Sequence, residues 1–270
     1  MYIQNLHTHT NYCDGADTPE EIVIKAIEKG FSSIGFSGHS YNPYSKFFMK
    51  YGDKTDAYKR DVLNLKEKYK DEFDIFLGLE VESCYEADIK DCDYLIWAVH
   101  YLDVGDTYVT FDSDLNCVKN VINEYYGKDG MKFAKAYYEA LAQVSEYAKF
   151  DIIAHFDLIT KHIEKEVLFD VNSKEYKYAA IEAVDALRGK IPFFEVNTGA
   201  IARGYRKSPY PSVDIIKEMK RMGFGAVITS DCHDKNMLDC KFDEATELLK
   251  ECGFREKYVL TKHGFSSVAL

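Results

Sequence analysis

The amino-acid sequence predicts an α/β fold in which parallel strands alternate with helices around a closed barrel. Three observations lead there. A unit of short apolar strand, polar tip and amphipathic helix recurs along the chain, the pattern of βαβ connections in a parallel sheet. About seven such units share 270 residues, a length ordinary for one barrel and short for two open-sheet domains. A doubly wound open sheet is the competing arrangement, and no GxGxxG signature supports it. No Pro/Gly/Ser linker, low-complexity tract or sequence repeat divides the chain, so residues 1–270 are expected to form a single domain.

The elements follow in order. Ile3 to Leu6 is a strand running straight into His7-Thr8-His9. Thr18-Pro19-Glu20-Glu21 is a capping box with proline at the first helical position. Ile22, Val23, Ala26 and Ile27 then make an apolar helical face, and Gly30 is a natural stop. Phe31 to Phe36 is the next strand, ending at Ser37-Gly38-His39; Ile75 to Leu79 ends at Glu80, and Tyr94 to Val99 at His100. A helix over Met131 to Ala148 precedes the strand Asp151 to Ala154, which ends at His155. Lys174 to Leu187 is helical, with Gly189 after it, and Pro192 to Val196 is a strand ending at Asn197. A helix over Pro211 to Met222 closes at Gly223, and the strand Gly225 to Thr229 ends at Ser230-Asp231-Cys232-His233. Phe242 to Cys252 is the last helix, followed by a short strand at Tyr258 to Thr261.

Composition narrows the function classes. The chain is 46% hydrophobic and 29% charged, as globular proteins are. The N-terminal MYIQNLHTHT has neither a basic nor an apolar signal region, and no uncharged apolar run approaches the ~18 residues of a membrane span. A soluble, cytoplasmic protein with no membrane partner is expected. The seven cysteines are odd in number and form no CxxC pair, which argues against a disulfide framework and a thiolate zinc site. A net charge of −11 disfavours a nucleic-acid partner, because phosphate contacts need a basic surface, and it suits a holder of divalent cations.

The histidines carry the chemistry. Six of the eight fall at or just past predicted strand ends: His7, His9, His39, His100, His155 and His233. Glu80 and Asp231 occupy equivalent places. In a parallel barrel those ends converge on one rim, so residues far apart in sequence meet in one cleft. Imidazole and carboxylate without thiolate suit Zn, Fe, Mn, Co or Ni rather than Ca. A rim glutamate can bridge two ions at the ~3.5–4 Å spacing of two-metal phosphate chemistry. His162 and His263 fall outside the pattern and are not expected as ligands. Arg203 and Arg206 lie in the loop after the Glu195–Asn197 strand, where a guanidinium fork matches phosphate oxygens. Tyr12, Tyr41, Trp97 and Tyr101 lie near strand tips and are candidates to line a substrate pocket, with ordinary rim packing as the alternative.

His7-Thr8-His9-Thr10, Cys13-Asp14-Gly15, Gly38-His39, Gly78-Leu79-Glu80, Val99-His100, Ala154-His155-Phe156-Asp157-Leu158-Ile159 and Ser230-Asp231-Cys232-His233 together resemble the successive motifs of the PHP (polymerase and histidinol phosphatase) family. Glu195-Val196-Asn197-Thr198-Gly199, with an arginine after it and then Tyr210-Pro211-Ser212, is similar to the histidinol-phosphate phosphatase branch. The resemblance implies a distorted seven-stranded, TIM-like (β/α) barrel with two to three divalent metals (Zn, Mn, Fe or mixed). One metal would take His7, His9, Glu80 and Asp231; a second, Glu80, His100 and His155; a third, His39, His233 and Asp14. It implies hydrolysis of a small phosphomonoester, L-histidinol phosphate, in histidine biosynthesis. Arg203 and Arg206 would bind substrate, and either Asp231 or His233 would protonate the leaving alkoxide. Competing readings are a phosphoesterase of the same family with another substrate, an amidohydrolase-like barrel, and a metal-stabilised binding module. The second commonly needs a carbamylated lysine at a strand end, and no predicted strand ends in Lys. Oligomeric state is not legible in the sequence.

Overall fold

A computed structural model describes residues 2–45, 48–49 and 53–270. Seven parallel strands form its centre: β1 (Gln4–Asn5), β2 (Ser33–Phe36), β3 (Asp74–Glu82), β4 (Tyr94–Ala98), β5 (Ile152–Ile153), β6 (Phe193–Asn197) and β7 (Gly225–Thr229). Each pairs with the next in chain order. The first and last meet at their C-terminal ends, where the His9 N–H donates to the Cys232 carbonyl (2.8 Å) and the Cys232 N–H to that of His7 (3.0 Å). Lower on the seam, the Asn5 side chain replaces backbone pairing by donating to Ser230 Oγ (2.8 Å). The sheet is thus a nearly closed barrel.

Alternation along the strands sorts the side chains. Ile75, Leu77, Leu79 and Val81 of β3 face outward into the layer beneath the helices, as do Leu95 and Trp97 of β4. Phe76, Tyr94, Ile96, Ile152 and Val227 fill the lower barrel. Tyr94 crosses that interior, its hydroxyl 2.5 Å from the Leu6 carbonyl and 3.0 Å from that of Phe36. Its side chain explains two glycines: a Cβ on Gly35 would come within 2.6 Å of the hydroxyl, and one on Gly78 within 2.5 Å of the ring. An antiparallel hairpin, Glu256–Thr261 with Gly264–Ala269, plugs the bottom. Phe193 packs on its Tyr258 and Phe265, with ring centroids 4.7 and 4.5 Å apart.

The helical layer departs from expectation in places. The capping box forms at Thr18 and Glu21, and the first helix spans Pro19–Glu28. The expected helix to Ala148 instead runs Gly130–Ala142. Beyond it Tyr147 turns inward, accepting from the Ala87 N–H (3.1 Å) and meeting Phe150 edge-on. The helix expected from Pro211 starts at Val213, because Tyr210 is held by mutual backbone hydrogen bonds to Asn197 at 2.8 and 2.9 Å. Helices Asp53–Lys68 and Leu115–Tyr125, and a hairpin of Tyr101–Asp103 with Tyr108–Thr110, were not anticipated. Among the described residues no helix is long and apolar enough to cross a membrane.

Candidate active site

The barrel delivers the predicted rim residues to one place. A parallel bridge between Thr8 and Cys232 sets His7 and His9 beside Asp231, and another pairs His39 with Glu80. The Thr10 carbonyl accepts from both Cys13 and Gly15 N–H (3.0 Å each), a tight turn that presents Asp14. The Ala16 N–H donates to the His233 carbonyl (2.8 Å), tying that turn to the last rim loop. Asp231 has a left-handed backbone, φ 46°, a conformation non-glycine residues adopt at a cost and retain where the surroundings over-determine it.

Glu80 sits at the centre, buried on the inward face of β3. Its Oε2 lies 2.8 Å from His39 Nδ1, 3.3 Å from His7 Nε2 and 3.5 Å from His9 Nε2. Its Oε1 lies 2.9 Å from His155 Nε2 and 3.4 Å from His100 Nε2. Asp231 Oδ1 is 3.1 Å from His9 Nε2 and 3.6 Å from His7 Nε2. Asp14 faces His9 (3.4 Å), His233 (3.3 Å) and His39 (3.6 Å). Three groups have ligand atoms close enough together to hold a metal ion: His9, Asp14, His39 and His233; His7, His9 and Glu80; His39, Glu80 and His100. All nine predicted ligand residues are therefore in one cluster, with His9, His39 and Glu80 belonging to two groups each.

Whether a cation fits is answered by the polar atoms themselves. His7 Nε2, His9 Nε2, His39 Nδ1 and Glu80 Oε2 are buried without a hydrogen bond, although such groups are nearly always paired in folded proteins. Four convergent donor atoms left this way suit a divalent ion of the imidazole-and-carboxylate class. The electrostatics agree. Burial opposes the charge of Glu80, yet His39, His7 and His100 hold its carboxyl well below the usual range. Burial likewise opposes charge on His7, and Glu195, Glu80 and Asp231 outweigh it and raise its pKa. His9 goes the other way: burial, then repulsion from His233 and His39, lowers it to about 3. The acids thus demand positive charge that the imidazoles can supply only by taking up protons, a role a divalent cation fills without them.

Two buried carboxylates that sequence reasoning did not single out orient the histidines from behind. Glu195 Oε2 accepts from His7 Nδ1 (2.8 Å), and its Oε1 accepts from the His155 N–H (2.6 Å) and Asn197 Nδ2 (2.7 Å). Glu82 Oε2 lies 2.9 Å from His100 Nδ1 and also accepts from the His100 N–H. Each fixes the tautomer that turns Nε2 toward Glu80. The available signal was spacing: Glu82 lies two residues after Glu80 and Glu195 two before Asn197, hence on the same strand faces.

The substrate-binding candidates divide. Arg203 is at the centre: it donates to Asp231 Oδ2 (2.9 Å) and to the Asp231 carbonyl (2.8 Å), and lies 3.0 Å from His233 Nδ1. Gly199 makes room, since a Cβ there would lie 2.9 Å from Asp231 Cβ and 3.0 Å from Arg203 Nη2. Arg206 is instead engaged outside the cluster. It donates to Thr160 Oγ1 (2.5 Å) and Ser208 Oγ (3.1 Å), stacks on Tyr210 and faces Asp157 at 3.8 Å, which corrects its expected role as a phosphate clamp. Trp97 is also a correction. It is 1% exposed on the outer face of β4, and its indole N–H donates to the Leu141 carbonyl (3.0 Å) in the covering helix. Tyr101 packs edge-on against Phe48, whose ring stacks on His39 at 3.9 Å; Tyr41 is half-buried against Tyr85. Tyr12 turns from the rim to donate to Asp61. His162 is buried against Tyr205, and His263 is exposed in the hairpin turn.

Comparison with known proteins adds a family and relatives. The family described as PHP domain matches residues 5–199. A Deinococcus radiodurans protein named "Probable histidinol-phosphatase" is 25% identical over 265 residues, covering 92% of this chain and 93% of the relative. Bacillus subtilis histidinol-phosphatase is 24% identical over 251 residues, covering 84% and 92%. A histidinol phosphate phosphatase from Lactococcus lactis, solved with zinc, L-histidinol and phosphate, has the same fold: TM-score 0.70 at 20% identity, covering 98% of each chain.

Proposed function

Because the chain belongs to the PHP domain family, we propose that it is a metal-dependent phosphomonoesterase that hydrolyses L-histidinol phosphate to L-histidinol and phosphate, a reaction of histidine biosynthesis. The observation that carries this reading is the set of buried, unpaired imidazole and carboxylate atoms converging on Glu80, with a guanidinium beside it. The relatives named above, similar along nearly their whole length, support the substrate. We take residues 1–270 to act as one domain.

His7, His9, Glu80 and Asp231 would hold one divalent ion, and Glu80, His100 and His155 a second. Asp14, His39 and His233 would hold a third. Bound divalent ions would polarise the phosphoryl group and lower the pKa of water, supplying a nucleophile near neutral pH. The protein's own part is to position and neutralise. Arg203 would bind phosphoryl oxygens through the guanidinium face not given to Asp231, where charge develops in the transition state. Glu195 and Glu82 keep His7 and His100 in the ligating tautomer. Of the two candidates for protonating the leaving alkoxide, Asp231 is unsuited. Burial opposes its charge, but Arg203, His7, His9 and His233 hold its carboxyl well below the usual range. His233, the more exposed of the two, would deliver that proton when it is not holding the third ion.

The test is phosphate release from L-histidinol phosphate beside sugar phosphates, nucleotides and a phosphodiester, with Mn, Zn or Fe supplied and after chelation. The expected result is metal-dependent turnover that favours histidinol phosphate and ceases on chelation. Chelator-resistant turnover, or no phosphomonoester cleaved under any metal, overturns the reading.

A further inference from the structure

We propose that the free edge of the C-terminal hairpin pairs with the same edge of a second copy of this chain, giving a twofold dimer joined by a four-stranded antiparallel sheet. The dimer is independent of the site on the opposite end of the barrel and of the reaction performed there.

The hairpin has two edges, and the fold treats them differently. Its two-residue turn, Lys262-His263, pairs Thr261 with Gly264 and, further along, Lys257 with Val268. The pair closing such a turn exchanges backbone hydrogen bonds, and every second pair after it does the same. That alternation reaches the Leu270 N–H, which donates to the Arg255 carbonyl (3.2 Å). Residues 264, 266, 268 and 270 therefore turn their N–H and C=O groups toward the first strand, and Phe265, Ser267 and Ala269 turn theirs outward. The first strand has outward groups too, and Gln4 blocks that edge. Its side-chain oxygen accepts from the Leu260 N–H, and its amide N–H donates to the Leu260 carbonyl, both at 2.8 Å. The second strand has no such cover. Among the described residues no hydrogen bond reaches the outward backbone groups of Phe265, Ser267 and Ala269, and Ser267 and Ala269 are exposed.

The side chains leave that edge unguarded. Sheet edges are ordinarily protected by a charge, a proline or a bulge. Gly264-Phe265-Ser266-Ser267-Val268-Ala269 has no charge and no proline, and its register against the first strand is unbroken. Phe265 anchors the strand to the barrel floor through Phe193, with ring centroids 4.5 Å apart. What such an edge accepts is another extended strand. A second copy of the same strand fits by symmetry, and it is present wherever the first is. With the twofold axis at Ser267, Ser267 meets its counterpart, and Phe265 meets Ala269 in both directions. Each outward N–H then faces an outward C=O. No like charges are brought together, and the one large ring lies opposite a methyl group.

The experiment is sedimentation equilibrium of the metal-loaded protein from micromolar to sub-millimolar concentration, with hydrogen exchange of the hairpin amides at both ends of that range. A contact this narrow belongs to the weak class that buries less than about 1,200 Å², so the mass should double only toward high concentration. The Phe265, Ser267 and Ala269 amides should exchange more slowly there. Ser267→Pro removes an outward N–H that the hairpin itself does not use, the position a sheet edge tolerates, and should keep the protein monomeric. Ser267→Lys, which leaves the backbone intact should the proline unsettle the hairpin, sets two ammonium groups at the axis. It should weaken dimerisation by about tenfold or more. A wild type that stays monomeric throughout overturns the proposal and leaves the edge to a strand of a different protein. A dimer that both variants preserve, or one in which the three amides exchange as fast as in the monomer, overturns it as well, because the copies then meet elsewhere.

Discussion

The two ends of this barrel are built on opposite principles. At the bottom, Phe76, Tyr94, Ile96 and Val227 pack with the C-terminal hairpin, and the buried Gln4 amide there is hydrogen-bonded on both its nitrogen and its oxygen. Gln4 donates to Ser33 Oγ (2.6 Å) and the Leu260 carbonyl (2.8 Å), and accepts from the Leu260 N–H (2.8 Å). At the top, Glu80 Oε2 and one ring nitrogen each of His7, His9 and His39 are equally buried and lack hydrogen bonds. Burying polar groups without partners costs about 1–3 kcal/mol each. A fold carries several of these in one spot only if the other end supplies the stability and something else, here a cation, completes the first. Stability and chemistry are therefore separable along the barrel axis.

The largest effect should come from breaking the bottom. Phe76→Ala removes a buried ring from the lower core and should cost about 3–5 kcal/mol in urea unfolding. The protein that remains folded should bind metal and turn over substrate as before. A loss of turnover per folded molecule would mean the two ends are coupled.

Next in size is the converse change. Glu80→Gln keeps the volume of the central residue and removes the charge that faces five histidines. Turnover should fall by about 10²–10³-fold, or roughly 3–4 kcal/mol of barrier. Bound metal, read by elemental analysis, should fall with it, while the metal-free unfolding midpoint should not drop as it does in Phe76→Ala. Metal content equal to wild type would remove Glu80 from the centre.

How much of this asymmetry the sequence revealed depends on how local each signal is. The strand tips were legible because a short apolar run followed by a polar ligand type needs only its own neighbours to be read, and those tips supplied every predicted ligand but Asp14, a loop residue reached only through the family resemblance. Trp97 was misplaced for want of one step. Ile96 and Ala98 face the barrel interior, so the residue between them must face outward under strand alternation. Arg206 was misjudged because sequence gives a loop residue's rim but not its partner, and Thr160 and Asp157 come from another strand's loop. Helix Asp53–Lys68 escaped because the buried apolar residues described on it are three, Tyr58, Val62 and Leu65, set among charges. Gly264–Ala269 is a short segment in which two serines interrupt the apolar residues, and it becomes a strand by pairing with Glu256–Thr261.

A smaller effect tests whether the top end extends beyond the residues that touch metal. Glu195→Gln leaves the packing but weakens the acceptor that orients His7 Nδ1. Metal affinity or activity should drop about 10- to 100-fold, the usual range for partners behind a metal ligand. Glu82→Gln should act the same way through His100. If both variants bind metal as tightly as wild type, the centre ends at the ligands themselves.

The smallest effect asks whether proximity to the rim is what makes a polar group functional. Thr18 begins the first helix, in the loop that leaves the rim after His9 and Asp14, so it belongs to the same end as the site. Its situation is nevertheless that of Gln4: the Thr18 hydroxyl accepts from the Glu21 N–H (3.3 Å), and the Glu21 carboxylate accepts from the Thr18 N–H (3.0 Å). A reciprocal cap leaves neither partner needing a ligand. Thr18→Ala should therefore lower stability by about 1 kcal/mol, as lost N-caps do, and leave kcat, KM and metal content unchanged. If turnover fell instead, the entry angle of that helix would be setting Asp14. The division would then run not between paired and unpaired polar groups but simply between top and bottom.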